Sequence, residues 1–176
     1  MRDLVYRDIR IRNAEKADCS VLANWWNDGS VMAHAGFPLG LGTTPEEIEK
    51  KIADDSDERR RRLLIEYKGE PIGEMSFSVH DDLVYKIGIN ICEPNHQEKG
   101  LGRIILSMLI EELFTMGAKR IVLDTNLNNK RARHVYELLG FRRTAVRKDA
   151  WTDQLGKAQT AVDYELTADS FRSFKV

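Results

Sequence analysis

A segment with two glycines, Gln97-Glu98-Lys99-Gly100-Leu101-Gly102-Arg103, joins a predicted strand to a predicted amphipathic helix. The strand runs from Leu83 to about Cys92, and the helix runs from about Gly100 to Thr115. The N–H groups in the first turn of a helix have no partners within the helix and carry a partial positive charge. Glycines in that turn let a phosphate approach the main chain closely, because no Cβ intervenes. The segment therefore predicts a strand–loop–helix unit that binds a pyrophosphate.

The common nucleotide fingerprints do not fit this segment. A Walker loop requires Gly-Lys-Ser/Thr at the start of the helix, whereas the chain has Gly102-Arg103-Ile104 there. A dinucleotide fingerprint requires Gly-x-Gly-x-x-Gly, and Ile105 occupies the position of its last glycine. The predicted pyrophosphate therefore belongs to another kind of ligand.

A second motif lies further along the chain, in Asn129-Lys130-Arg131-Ala132-Arg133-His134-Val135-Tyr136-Glu137-Leu138-Leu139-Gly140-Phe141. With the glycine loop, it resembles the GNAT superfamily of N-acetyltransferases. In that family a Gln/Arg-x-x-Gly-x-Gly/Ala loop precedes an Asn-x-x-Ala-x-x-x-Tyr-x-x-x-Gly-Phe helix, and the order and spacing agree here. The resemblance implies acetyl-coenzyme A (acetyl-CoA) as acyl donor, with its pyrophosphate bound by residues 97–103. It also implies direct transfer of the acetyl group to an amine.

The resemblance gives several of these residues a role. Ala132 and Tyr136 are four residues apart, so they share one face of the helix. The small Ala132 would leave room for the pantetheine arm, and Tyr136 would protonate the departing sulfur. The alternative for Tyr136 is an aromatic residue packed in the core. Asn129 would contact the cofactor, cap the helix, or do both. The main chain of Ile91 and Cys92 would bind the pantetheine and thioester, with Cys92 not acting as a nucleophile.

An amine acceptor must lose a proton before it can attack, which requires a base. Glu74 is the first candidate, because it alternates away from the apolar residues Met75 and Phe77 onto the opposite face of the sheet. Glu93, beside the glycine loop, is the second candidate and His96 is the third. For each of them the alternative is a solvated surface residue.

The acceptor is less clearly indicated. Trp25-Trp26-Asn27-Asp28 resembles the end of a helix in the RimJ/RimL-like ribosomal-protein acetyltransferases. Trp25 and Trp26, together with Glu74, are therefore predicted to contribute to the acceptor site, although two partly buried core tryptophans are an alternative. The resemblance favours a protein N-terminal α-amine as acceptor. A small-molecule or aminoglycoside 6′-type N-acetyltransferase is the second possibility, and a non-catalytic acetyl-CoA sensor is the third.

The order of predicted elements is strand, two helices, three strands, helix, strand, helix and two strands. Hairpins followed by strand–helix–strand crossovers predict an α/β (α+β) fold with a mixed sheet of about seven strands and about four helices. Residues 1–176 form one predicted domain. In the N-terminal half, Asp18 is a predicted N-cap and Gly29 a predicted helix stop. Thr44 and Glu47 form a predicted capping box.

The composition excludes several other classes of protein. The net charge is −1, which favours neither nucleic acid nor an anionic membrane as a partner. The charged N-terminal residues contain no apolar signal core, so the expected location is the cytoplasm. Two distant cysteines and four scattered histidines predict no metal site. A monomer and a homodimer both remain possible.

Overall fold

The computed structural model describes residues 1–176. The strands are β1 (Leu4–Tyr6), β2 (Ile9–Asn13), β3 (Arg60–Tyr67), β4 (Glu70–His80), β5 (Val84–Ile91), β6 (Arg120–Asn126), β7 (Arg142–Thr152) and β8 (Ala158–Leu166). The α-helices are α1 (Cys19–Trp26), α2 (Gly29–Met32), α3 (Pro45–Ile52), α4 (Leu101–Thr115) and α5 (Lys130–Leu138).

All eight strands form one mixed sheet, in the order β1-β2-β3-β4-β5-β6-β8-β7. The prediction of a mixed α/β fold is confirmed. The additional strand is β1, which has only three residues and therefore no detectable period in the sequence. β5 and β6 are the parallel pair, and they pair only where Val84–Lys86 meets Arg120–Val122. Beyond Lys86 the two strands diverge, which opens the middle of the sheet.

The two faces of the sheet carry different helices. In β3, Leu63 and Ile65 belong to a large core that includes residues of α4 and α5. Leu64, which points the other way, belongs to a smaller core with residues of α1 and α3. This alternation follows from the two-residue period of a strand. The sheet is therefore a central layer with α1 and α3 on one face and α4 and α5 on the other.

Local signals in the N-terminal half give mixed results. The predicted capping box is confirmed, since the Thr44 hydroxyl accepts from Glu47 N–H at 3.2 Å and the Glu47 carboxylate accepts from Thr44 N–H at 3.3 Å. Asp18 does not cap α1 with its side chain, because its carboxylate accepts from Glu15 N–H at 2.8 Å and forms an ion pair with Arg12 at 2.8 Å. Gly29 does not end α1 but begins the one-turn helix α2. The prediction of a stop at Gly29 was therefore wrong.

Candidate active site

A cavity of about 1320 Å³ occupies the opening between β5 and β6. Its lining includes residues from both faces of the sheet, such as Tyr136 of α5 and Glu74 of β4. Most of the predicted site residues line it: Glu74, Ile91, Gln97, Glu98, Gly100, Leu101, Gly102, Arg103, Asn129, Ala132 and Tyr136. The cavity therefore gives two ligands access to one reaction centre from opposite faces of the sheet.

The glycine loop has the geometry that a phosphate requires. Gly100 precedes α4 with φ of +74°, a left-handed conformation that favours glycine. At Gly102 an added Cβ would have Ile91 Cδ1, 3.8 Å away, as its nearest neighbour, so the space over this residue is open to the cavity. The Gln97 amide donates to the Ile91 carbonyl at 2.8 Å and fixes the loop to the end of β5. The first turn of α4 is thus exposed to a ligand in the cavity, and its free N–H groups suit a pyrophosphate.

The start of α5 forms the opposite wall of this end of the cavity. The side chain of Asn129 accepts from Ala132 N–H at 3.3 Å, which confirms its role as an N-cap. Arg131 forms an ion pair with Glu98 of the glycine loop. The guanidinium of Arg131 thereby lies beside the predicted pyrophosphate site, where positive charge is favourable.

Tyr136 lies where the cavity meets the large core. The residue is buried, and its ring packs against Phe141 and Tyr164 with centroid distances of 5.9 and 5.8 Å. Burial raises the pKa of Tyr136 to about 12, and the negative charge of Asp124 adds to the effect. The hydroxyl therefore keeps its proton throughout the physiological pH range and can act as a hydrogen-bond donor.

Glu74 lies on the other face of the sheet, in a network with two side chains. Its carboxylate accepts from the Trp26 indole N–H at 2.7 Å and from the Arg62 guanidinium at 2.8 Å. The Arg62 guanidinium also lies 5.0 Å from the centre of the Trp26 ring. Glu74 and Arg62 both line the cavity, so they present one negative and one positive group to a ligand on this face.

The comparison with known families decides what kind of site this is. The profile of the acetyltransferase (GNAT) family matches residues 33–141, which include the glycine loop and α5. The chain belongs to the GNAT acetyltransferase family. It is thus an acyltransferase by family, in agreement with the resemblance of its two motifs.

Individual relatives of this GNAT protein differ in their acceptors. The ribosomal protein bS18-alanine N-acetyltransferase of Escherichia coli is 27% identical over 114 residues, covering 65% of this chain and 76% of that enzyme. For the enzyme of the same name from Salmonella typhimurium the identity is 36% over 64 residues, covering 36% of this chain and only 43% of the relative. The spermidine N-acetyltransferase of Vibrio cholerae, solved with CoA and spermine, has a TM-score of 0.81 at 21% identity and covers 94% of this chain and 98% of its own. That likeness shows a shared fold.

Several residues predicted for the acetyltransferase site do not reach the cavity. Trp25 and Trp26 are both 5% exposed and belong to the smaller core. Glu93 accepts from the Trp25 indole N–H at 2.8 Å and does not line the cavity. The prediction that Glu93 is a base, and that Trp25 contacts the acceptor, is therefore not supported by their positions. Trp26 contributes indirectly, through its hydrogen bond to Glu74.

Two further residues predicted to bind the cofactor, Lys99 and Cys92, do not line the cavity. Lys99 is exposed on the glycine loop. Cys92 is buried, and burial together with the charges of Glu74 and Glu93 raises the pKa of its thiol. A thiol that resists ionisation is a poor nucleophile, which agrees with the predicted absence of an acyl-enzyme step.

The structure also brings unpredicted residues to the cavity of this GNAT domain. His34, after α2, and Trp151, at the end of β7, both line it. An added Cβ at Gly36 would lie 2.6 Å from the Trp151 ring, and the Gln154 amide donates to the Gly40 carbonyl at 3.0 Å. The loop after α2 is therefore held against the β7–β8 hairpin beside the cavity. These contacts join residues more than 100 positions apart, and no local sequence pattern indicates them.

Three histidines line the cavity: His34, His96 and His134. Desolvation in the cavity and the positive charge of Arg131 lower the pKa of His34, so its imidazole is neutral at neutral pH. His96 lines the cavity as well, but its Nδ1 is buried without a hydrogen-bond partner and its ring packs edge-on against Tyr67.

The structure brings together no group of three or more potential metal ligands. No helix is both long and apolar enough to cross a membrane.

Proposed function

We propose that this protein transfers the acetyl group of acetyl-CoA to a primary amine, specifically the N-terminal α-amine of a protein. The observation that carries the proposal is a single cavity through the sheet. The glycine loop and Tyr136 line it together with Glu74, which bonds to α1 on the opposite face. Such a site lets a thioester and an amine meet without an intermediate carrier on the protein. The cytoplasmic location and the oligomeric state stay predictions.

Different residues of the chain bind the cofactor and transfer the protons. Acetyl-CoA, when bound, supplies the thioester whose carbonyl carbon the amine attacks and whose carbon–sulfur bond then breaks. The first turn of α4 holds the pyrophosphate, and Ala132 leaves room for the pantetheine arm. The Tyr136 hydroxyl donates a hydrogen bond, and finally its proton, to the departing sulfur. Since the tyrosine pKa is about 12, the donor form is present at every working pH.

The proton that leaves the amine needs an acceptor on the other face of the sheet. We propose Glu74 for this role, directly or through one water, because it is the carboxylate that lines the cavity beside α1. Its bonds to Trp26 and Arg62 hold the carboxylate in one orientation. His34 is the competing base, since it lines the same cavity and its lowered pKa keeps it neutral.

Two matched variants distinguish these bases. We expect Glu74→Gln to lower kcat/KM by about 10²-fold or more, because general-base catalysis is worth that much. His34→Gln should keep kcat/KM close to that of the wild type. Both side chains line the cavity, so a comparison of the two rate losses separates a proton acceptor from a residue that only shapes the site. A large loss in His34→Gln together with a small loss in Glu74→Gln would assign the proton to His34.

The acceptor can be tested with a panel of amines. We expect thiol release and acetylated product with a peptide that begins with a free alanine α-amine. The same peptide with a blocked N-terminus and an internal lysine should be acetylated much more slowly. Spermidine and an aminoglycoside form the small-molecule arm of the panel and should also be poor acceptors, because neither has the peptide main chain that follows a protein α-amine. Acetyl-CoA binding in calorimetry without thiol release from any amine would instead indicate a sensor.

A further inference from the structure

A second cavity of about 350 Å³ lies next to the active-site cavity. The two cavities share Arg62 and Ser76, which contribute to both linings. Trp26, whose indole N–H donates to Glu74, forms part of the wall of the second cavity. A group bound in the second cavity would therefore lie beside the amine that reacts in the first.

Basic side chains dominate the lining of the second cavity. Lys51, Arg60, Arg61 and Arg62 all line it, whereas Asp55 is the single carboxylate among its lining residues. Three of the four cations have carboxylate partners: Arg60 with Asp55 at 3.7 Å, Arg61 with Asp57 at 2.6 Å and Arg62 with Glu74 at 2.8 Å. Lys51 has no such partner, and its ammonium lies 6.0 Å from the centre of the Trp26 ring. The cavity therefore carries one uncompensated positive charge and attracts an anion.

The serine hydroxyls of β4 complete an anion site. Ser76 lies opposite Arg62 and Ser78 lies opposite Arg60 in the antiparallel pairing of β3 with β4. Leu64 and Glu74 are the next pair on the same face, so a line of polar groups leads outward from Glu74. Hydroxyls donate hydrogen bonds to carboxylate oxygens as well as to phosphate, which suits the cations on this face, Arg60 and Arg62. Arg61 alternates onto the opposite face of β3, and the Ser78 hydroxyl is also hydrogen-bonded to His80 at 2.9 Å.

The spacing along β4 sets how far an acceptor would have to reach. Ser76 and Ser78 are two and four residues from Glu74, or about 7 and 13 Å along the strand. An extended peptide advances by about 3.3 Å per residue. A peptide whose α-amine lies at Glu74 would therefore bring its third or fourth residue to the second cavity.

We propose that the second cavity is an anion subsite that binds an acidic side chain at the third or fourth position of the acceptor peptide. This inference rests on the proposed transfer to an N-terminal α-amine and adds a sequence preference to it. The acceptor would carry aspartate or glutamate there, and polycationic amines would be excluded by like charge. Because Lys51 is exposed, its contribution to binding the acidic side chain should fall as the ionic strength rises.

The test compares three peptides that share a free N-terminal alanine and differ only at positions three and four. These positions hold two aspartates, two asparagines or two lysines. At low salt, we expect the KM of the aspartate peptide to be about five- to ten-fold below that of the asparagine peptide, with the lysine peptide weakest. In Lys51→Gln the ratio of the first two KM values should fall toward one. Lys50→Gln is the matched control, since Lys50 is exposed on the same helix but does not line the cavity, and it should keep the wild-type ratio.

The outcomes separate this inference from the proposed function. Equal KM values for the aspartate and asparagine peptides in the wild-type enzyme would overturn the subsite while leaving α-amine transfer intact. If none of the three peptides is acetylated, the proposed function itself fails. Inorganic phosphate provides a further arm, at saturating acetyl-CoA and constant ionic strength, because phosphate can also compete for the first turn of α4. Under these conditions a rise in the KM of the aspartate peptide alone supports the subsite. An equal effect of phosphate on all three peptides would overturn the role of the second cavity in acceptor choice.

Discussion

Replacing Gly102 with valine should weaken acetyl-CoA binding by about 10²-fold or more while the protein remains folded. The protein itself can accommodate a side chain here, because the nearest atom to an added Cβ is Ile91 Cδ1 at 3.8 Å. That space is the surface over which a pyrophosphate would meet the first turn of α4. A branched side chain would keep the phosphate from the free N–H groups, and each hydrogen bond to a charged group is worth about 1.5–3 kcal/mol. Losing one or two of these hydrogen bonds to the phosphate accounts for the expected loss of about 10²-fold in acetyl-CoA affinity.

Calorimetric titration with acetyl-CoA measures this effect, and a thermal melt checks the fold. Gly102→Ala should give a smaller loss, because a methyl group covers less of the phosphate surface. Gly100 is unsuitable for this test: its φ of +74° means that any side chain strains the main chain, so folding and binding would change together. Unchanged affinity in Gly102→Val would show that the pyrophosphate does not bind at this turn.

The cofactor side of the site could be predicted from the sequence because its residues are contiguous. The glycine loop and the start of α4 lie within a few residues of each other, and helix geometry alone places Ala132 and Tyr136 on one face. Most of these predicted residues line the cavity in the structure. The orientation of Glu74 could also be predicted from the sequence, since the two-residue period of β4 turns its side chain away from that of Met75.

The acceptor side depends on contacts between distant segments. Trp25 and Trp26 form hydrogen bonds to Glu93 and Glu74, which lie 68 and 48 residues away. A helical pattern shows that two adjacent tryptophans cannot share one face, but not which carboxylates they will meet. The same limit applies to His34, which reaches the cavity because its loop is held to the hairpin after β7. The second cavity could not be predicted from the sequence for a similar reason, since Lys51 meets Arg60–Arg62 only through the packing of α3 on the sheet.

The largest effect on chemistry should come from Tyr136→Phe. The hydroxyl acts when sulfur gains negative charge, so its loss should slow acetyl transfer by about 10²–10⁴-fold. Affinity for acetyl-CoA should change little, because the hydroxyl contributes little to the ground state. The ring itself is retained, and with it the packing against Phe141 and Tyr164. Because burial raises the tyrosine pKa to about 12, the wild-type rate should show no loss from ionisation of Tyr136 below about pH 11.

A neighbouring tyrosine supplies the control for this variant. Tyr164 packs against Tyr136, but its hydroxyl donates to Glu137 at 3.2 Å and accepts from Arg133 at 3.3 Å, away from the cavity lining. Tyr164→Phe should therefore lower stability slightly and leave the single-turnover rate close to wild type. Single-turnover measurement is needed because product release could otherwise conceal a slower chemical step. If Tyr136→Phe also keeps the wild-type single-turnover rate, the hydroxyl takes no part in transfer, and Tyr136 serves only to pack α5 against the core.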